Sequence, residues 1–173
     1  MILAELLLTL LLATPVVAPP AGQTESAEEL RARLASIALD AASVAGSPGD
    51  ATLLLAVAQH EGGFALDVDR GPCRAGTCDS GAAACLLQIH ADREMRAQLF
   101  ADRKLCFSMG LAALKSSAAT CRKLPIEERF AAYAAGSCSS VAGRKASREL
   151  FAAWSSWSQR YRVEVARQGE NKP

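Results

Sequence analysis

The sequence has few aromatic residues, few histidines and almost no net charge. Phe, Trp and Tyr make up 5% of its 173 residues, and the formal net charge at pH 7 is +1. Nucleic-acid binding usually requires a strong positive field and stacking aromatic side chains, so we expect no nucleic-acid partner. The two histidines, His60 and His90, lack the spacing from cysteines that a zinc site requires. We predict neither a metal ion nor a cofactor.

Regular alternation of polar and apolar residues is also missing, and with it the pattern of half-buried β-strands. Alanine, which favours helices, is abundant, and half of the residues are apolar. A chain of this length can form one compact domain with a substantial core but is short for two. We therefore predict a mainly α fold with a single functional site.

The N-terminus reads MILAELLLTLLLATPVVA, an apolar stretch followed by a proline and small residues. The stretch is too short to span a bilayer stably, but it is typical of a secretory signal peptide. Glu5 stands where a Lys or Arg is usual, and cleavage fits after Ala18 or after Ala21. We predict that residues 1–21 form a signal peptide and that the exported chain has no stable membrane span.

Six cysteines lie in the middle of the chain: Cys73, Cys78, Cys85, Cys106, Cys121 and Cys138. An even number of cysteines behind an export signal predicts disulfide bonds and an oxidising compartment. Cys73 and Cys78 would close a short loop. Cys106 and Cys121 would lie about 22 Å apart along one helix, too far to pair with each other. Six cysteines allow 15 connectivities, and the spacing alone does not select one.

Periodicity and capping residues predict helices over residues 26–44, 51–61, 92–101, 104–121, 125–136 and 144–167. Ser26, with two glutamates in the following turn, is a good cap for the first, and Asp50 for the second. In the last helix, Trp154 and Trp157 are better explained as core residues than as a sugar-stacking platform.

Residues 62–84 are rich in glycine and have no periodic pattern, so we predict an irregular region tied by disulfides. The predicted organisation is a signal peptide (residues 1–21), an N-terminal helix and linker (22–49), the main domain (50–168) and a short tail (169–173). The sequence gives no indication of the oligomeric state.

The helix over residues 51–61 ends in a glutamate, Glu61, followed by two glycines. The carboxyl end of a helix carries partial negative charge and disfavours a carboxylate there. An apolar groove around it, to which we assign Phe64, would raise the pKa of Glu61 further by desolvation. Although many helices end in a solvated glutamate, this one is a candidate proton donor near neutral pH.

Three motifs in this order resemble a known family. The first motif is a helix that ends in Glu with Phe three residues later, here AVAQHEGGF. The second is a small-residue stretch running into Gly-Leu-Met-Gln-Ile, here SGAAACLLQI. The third is Ala-Tyr-Asn-Ala-Gly, here AYAAG. Together they resemble the soluble-type lytic transglycosylases and goose-type lysozymes of the lysozyme-like superfamily. The resemblance covers residues 50–136 and implies a lysozyme-like helical domain acting on the glycan strands of bacterial peptidoglycan.

The resemblance implies a role for each matching residue. Glu61 would be the catalytic acid, Gln88 would contact the glycan, and the Tyr133 phenol would bind substrate and hydrogen-bond the glutamate. With Phe64 as an apolar contact, these four residues form the predicted site. An exported enzyme of this class would work in the periplasm or outside the cell.

The sequence favours a mechanism with one carboxylic acid. Glycosidases usually use two carboxylates, but Asp67, Asp69 and Asp79 lie in the loop region, where aspartate is more often a turn former. His60 is adjacent to Glu61 on the helix and points elsewhere, so we interpret it as structural.

The motifs also depart from the family. Gly62 replaces the usual Ser, Cys85 the usual Gly, and Ala134 the usual Asn. These changes support an alternative, a lysozyme-like module that binds glycans or serves as a scaffold without catalysis. At Cys85 we expect a disulfide bond to hold the motif in place.

Overall fold

The structure is a computed structural model that describes residues 3–73 and 77–170. Helix accounts for 71% of the residues and strand for 2%, which confirms the mainly α prediction. The helices are α1 (Leu3–Leu12), α2 (Ala27–Val44), α3 (Pro48–Gly62), α4 (Leu66–Arg70), α5 (Cys78–Gly81), α6 (Arg93–Ala101), α7 (Arg103–Thr120), α8 (Ala131–Ala135) and α9 (Val141–Glu170). They are joined by an antiparallel pair, β1 (Ala83–Ala84) and β2 (Ile89–His90), and by a 3-10 turn (Ile126–Glu128).

Helix α3 lies at the centre of the core. All eight residues from position 51 to position 58 are buried. Seven of them are apolar, and the eighth, Thr52, hydrogen-bonds through its hydroxyl to the Gly49 carbonyl and to Ser158. Helices α2, α7 and α9 pack around it. This arrangement places the end of α3, with Glu61, at the surface between the surrounding elements.

Helix α2 begins as predicted. The Ser26 hydroxyl accepts the Glu29 amide proton at 3.2 Å, and the Glu29 carboxylate accepts the Ser26 amide proton at 2.8 Å, a complete capping box. Leu34, Ile37 and Ala41 face the core. The predicted N-terminal helix is therefore part of the same hydrophobic core as the segment that follows it.

The apolar N-terminal stretch forms α1, which packs on α2 and α9. Leu7 and Leu11 are completely buried. The Arg160 guanidinium, from α9, donates to the Leu10 carbonyl at 2.8 Å and to the Thr14 hydroxyl at 3.0 Å. Loss of residues 1–21, as the signal-peptide prediction implies, would remove this helix from the core. No helix within residues 3–73 and 77–170 has both the length and the apolar character to cross a membrane.

Two predicted helix positions are wrong. Helix α3 starts at Pro48 with Ser47 as its N-cap, while Asp50 lies in the first turn and pairs with Lys115. The helix predicted over residues 125–136 is two short pieces, the 3-10 turn and α8. A buried side chain explains this break: the Ser147 hydroxyl, from α9, accepts the Phe130 amide proton at 2.8 Å just before α8 begins.

The six cysteines form three disulfide bonds, Cys73–Cys78, Cys85–Cys106 and Cys121–Cys138. The short loop predicted for the first pair is confirmed. Cys106 lies in the first turn of α7 and Cys121 caps its other end, so they do not pair with each other, as predicted. Three disulfides fit a protein that is exported to an oxidising compartment.

Candidate active site

A groove of about 1160 Å³ runs between three segments that are far apart in the sequence. The end of α3 contributes Glu61, the turn between β1 and β2 contributes Gln88, and α8 contributes Tyr133. These are the three segments that carry the motifs. The fold therefore brings three of the four predicted site residues to one surface.

The local backbone places Glu61 at the edge of the core. Gly63 ends α3 in a left-handed conformation with φ 54°, and its amide proton bonds to the Gln59 carbonyl. Packing explains the glycine at position 62, between Glu61 and Gly63. A Cβ atom there would lie 2.7 Å from Cγ1 of Val68. The glycine that departs from the family pattern thus makes room for the side chain of α4.

Burial is the main influence on Glu61. Desolvation raises the pKa of the Glu61 carboxyl, and the nearby His60 charge opposes this in part. His60 lines the same groove as Glu61, so it is closer to the site than the sequence suggested. A half-buried glutamate with a raised pKa holds its proton more readily and can donate it to a bound substrate.

Tyr133 is held on both its backbone and its side chain. The Ser117 hydroxyl accepts the Tyr133 amide proton and donates to the Arg129 carbonyl, both at 2.9 Å. The phenol donates to the Leu87 carbonyl at 2.7 Å. Burial and the Glu61 charge raise the pKa of Tyr133, so the phenol stays protonated.

The Tyr133 phenol differs from its expected role in one respect. A phenol has a single proton, and here that proton is given to the Leu87 carbonyl rather than to Glu61. The phenol oxygen keeps its acceptor capacity. A hydrogen bond with Glu61 would therefore use the phenol as acceptor, which suits a protonated carboxyl group better than a carboxylate.

Gln88 lies on a tight turn that a disulfide fixes. Cys85 and Gln88 both have left-handed backbone conformations, with φ 60° and 49°. The Cys85 carbonyl accepts from the Gln88 side-chain Nε2 at 3.0 Å and from the Gln88 backbone amide at 3.1 Å. The Cys85–Cys106 bond joins this turn to α7. The expected disulfide at the motif is confirmed, and it holds a backbone conformation that is unfavourable for residues other than glycine.

Phe64 is not in the groove. Gly63 and Phe64 are both left-handed, and the resulting turn sends the Phe64 side chain into the core, where it is completely buried. There it packs edge to face on Trp157, with ring centroids 6.3 Å apart. The expectation that Phe64 contacts substrate is corrected, because its ring supports the end of α3 from behind.

The aspartates of the loop region separate into two groups. Asp67 and Asp69 are buried away from the groove, and Asp69 binds the Arg103 guanidinium through both carboxylate oxygens at 2.8 Å. Asp79 lines the groove and lies 3.1 Å from His90 Nε2. Among the described residues that line the groove, Asp79 is the only carboxylate besides Glu61.

Sequence reasoning missed three side chains that position the site: Ser117, Ser147 and Arg33. The Arg33 guanidinium is buried and donates to the Phe64 carbonyl at 2.9 Å while binding both carboxylate oxygens of Glu25. A signal was present, since Arg33 stands four residues before the core residue Ile37. Ser117 likewise stands three residues after the buried Leu114. A polar residue on an apolar helix face usually has a buried partner.

No group of three or more His, Cys, Asp or Glu side chains in residues 3–73 and 77–170 is arranged to hold a metal ion. No protein-family model, curated protein or solved structure matches this chain. Its function must therefore be inferred from the groove and the residues that line it.

Proposed function

We propose that this protein is an exported bacterial glycosidase that cleaves the glycan strands of peptidoglycan, with Glu61 as its catalytic acid and base. The observation that carries the proposal is the meeting of Glu61, Gln88 and Tyr133 in one groove. These residues come from the three motifs that resemble lytic transglycosylases, and their convergence was not required by the sequence pattern alone.

The first chemical step is proton donation. Glu61 gives its proton to the oxygen that links N-acetylmuramic acid to N-acetylglucosamine, and the bond from that oxygen to the anomeric carbon of the muramic acid breaks. Burial of Glu61 favours the protonated starting state. The phenol of Tyr133, already donating to Leu87, can accept a hydrogen bond from the protonated carboxyl group.

The second step returns the proton. The 6-hydroxyl of the same muramic acid attacks the anomeric carbon, a new carbon–oxygen bond closes an anhydro ring, and the hydroxyl proton passes to the Glu61 carboxylate. No second carboxylate is needed. This suits a groove whose other carboxylate among the described residues, Asp79, is largely exposed and lies 3.1 Å from His90 Nε2. Attack by water instead would make the protein a lysozyme.

One observation favours the alternative of a glycan-binding module without catalysis. Gly62 and Ala134 both line the groove, at positions where the enzymes that the motifs resemble have Ser and Asn. Neither residue offers a polar side chain to a substrate. If those contacts are essential for turnover, the groove would hold a glycan strand without cutting it.

The proposal is tested by digestion of purified peptidoglycan with the oxidised protein and with Glu61→Gln, followed by mass spectrometry of the soluble fragments. Glu94→Gln is the matched control, because Glu94 is exposed on α6 and outside the groove. We expect anhydro-muropeptides from the parent and from Glu94→Gln, and none from Glu61→Gln.

Each other outcome has a defined meaning. Fragments with reducing ends would make the protein a hydrolase. Loss of activity in Asp79→Asn equal to that in Glu61→Gln would replace the single-acid mechanism with a two-carboxylate one. If folded parent protein binds peptidoglycan but releases no fragments, the module without catalysis is the correct function.

A further inference from the structure

The segment that follows α1 forms part of the groove beside Glu61. We call residues 13–20 the strap. Its Val17 amide proton bonds to the Gly63 carbonyl at 3.0 Å, and its Val17 side chain lines the groove. Contact with the end of α3 is close, since a Cβ atom on Gly63 would lie 2.5 Å from Cγ2 of Val17. The strap therefore packs on the end of α3, two residues beyond the candidate catalytic Glu61.

Besides the contact of Val17 with Gly63, the strap is held where it follows α1. At its start, the Thr14 hydroxyl and the end of α1 are bound by Arg160, whose guanidinium also lies 4.9 Å from the centre of the Trp157 ring. The Trp157 indole nitrogen donates to Gln59, a groove residue on α3, at 2.7 Å. Pro15, Pro19 and Pro20 limit the conformations open to the strap. Its position is thus defined by contacts rather than by chain connectivity alone.

The predicted cleavage positions, after Ala18 and after Ala21, both lie just beyond Val17 in the sequence. A cut at either one would separate Val17 from α2 and leave α1 and the strap attached only by noncovalent contacts. The apolar surface of α1 and the hydrogen bonds of Arg160 would then be the interactions that keep Val17 beside Glu61.

We propose that the strap is a wall of the groove that restricts access to Glu61. The inference rests on the proposed function for its biological meaning, because the restricted residue is the proposed catalytic acid.

Access to position 61 can be measured without a glycan. Glu61→Cys introduces a thiol into the groove, and the six native cysteines are all disulfide-bonded. In this background the labelling rate with 5,5′-dithiobis(2-nitrobenzoic acid) is compared for the parent strap, Val17→Gly and Val17→Phe. Ala18→Gly and Ala18→Phe are the matched controls, because Ala18 is exposed and does not line the groove.

We expect Val17→Gly to raise the labelling rate roughly threefold or more and Val17→Phe to lower it, with both Ala18 variants unchanged. Loss of folding would raise the labelling rate in both Val17 variants. A rise in one variant and a fall in the other therefore indicate a change in access to position 61. Equal rates in all five proteins would overturn the proposal. So would a rise in Val17→Phe as large as that in Val17→Gly.

A second measurement separates this inference from the proposed function. Binding of an N-acetylglucosamine tetramer is measured in the Glu61→Gln background with and without Val17→Gly. Tighter binding with Val17→Gly supports the strap as a wall. Weaker binding would overturn it, because Val17 would then be a substrate contact. No binding by either protein, together with the expected labelling rates, would keep the strap and reject the glycan as substrate.

Discussion

The two walls of the groove are held in different ways. The wall that carries Glu61 is the end of a buried 15-residue helix packed between long helices, and it contains no cysteine. The other wall, with Gln88 and Tyr133, combines two-residue strands and a five-residue helix with residues of α7, and the Cys85–Cys106 and Cys121–Cys138 bonds tie the short elements to α7. Short elements bury less apolar surface than long helices, so covalent bonds add to packing there.

The largest expected effect concerns the wall that carries Glu61, which is held by packing. Trp157→Ala should lower the free energy of unfolding by about 3–5 kcal/mol, because a fully buried aromatic ring is lost. It also removes the ring contact with Phe64 and the hydrogen bond to Gln59. Denaturant unfolding measures the change, and Phe151→Ala, half-buried on the same helix, should cost less. A cost for Trp157→Ala no greater than that for Phe151→Ala would contradict the role assigned to packing.

The next effect concerns the wall with Gln88 and Tyr133, whose short elements are held by disulfide bonds. Replacing Cys85 and Cys106 together by Ala should cost about 3 kcal/mol, since the bond closes a loop of more than 15 residues. The same double change at Cys73 and Cys78, which are five residues apart, should cost roughly 2 kcal/mol. Peptidoglycan digestion should be lost in the first variant because the Gln88 turn is released. If activity survives there, the disulfide is not what positions the turn.

A smaller effect concerns a single hydroxyl. Ser117→Ala removes the hydrogen-bond partner of both the Tyr133 amide and the Arg129 carbonyl, and should cost about 1–3 kcal/mol. The neighbouring Ser116 is exposed, so Ser116→Ala is the matched control and should leave the melting temperature unchanged. Similar shifts in both variants would show that the Ser117 bonds do not hold α8.

The smallest effect on stability is expected at Glu61 and depends on pH. Desolvation raises the pKa of Glu61 in the folded protein, so its contribution to stability is full below the unfolded pKa and is lost as pH rises through the folded one. Glu61→Gln should therefore match the parent at about pH 4 and melt at an equal or higher temperature near neutral pH. Parent activity should fall as pH rises through the same pKa. A large loss of stability in Glu61→Gln at neutral pH would mean that the charge is structural.

Local signals were sufficient for much of the fold. The cap at Ser26 depends on residues within one turn and is present as predicted. Tertiary contacts decided what was missed. The break before α8 depends on Ser147 from a distant helix, and β1 and β2 are too short to produce an alternating pattern.

The site residues show the same division between local signals and tertiary contacts. Residue types at motif spacing were enough to select Glu61, Gln88 and Tyr133, which the fold brings to one groove. Side-chain direction was not predictable. Phe64 turns inward because two consecutive residues adopt left-handed conformations, and the partner of the Tyr133 phenol is a backbone carbonyl that no sequence motif specifies.

The buried Arg33 sets a practical limit on how this protein can be shortened. A recombinant chain that begins at Asp50, where the family resemblance starts, would lack α2 and leave the Phe64 carbonyl without its guanidinium donor. One that begins after Glu25 would keep Arg33 but remove the carboxylate that binds it through two oxygens. The buried guanidinium would then keep only Asp69, whose Oδ2 lies 3.8 Å from Arg33 Nη1, and loss of a partner from a buried ion pair is strongly destabilising. The smallest unit suitable for expression therefore begins before Glu25, and the segment recognisable by motif is shorter than the segment able to fold.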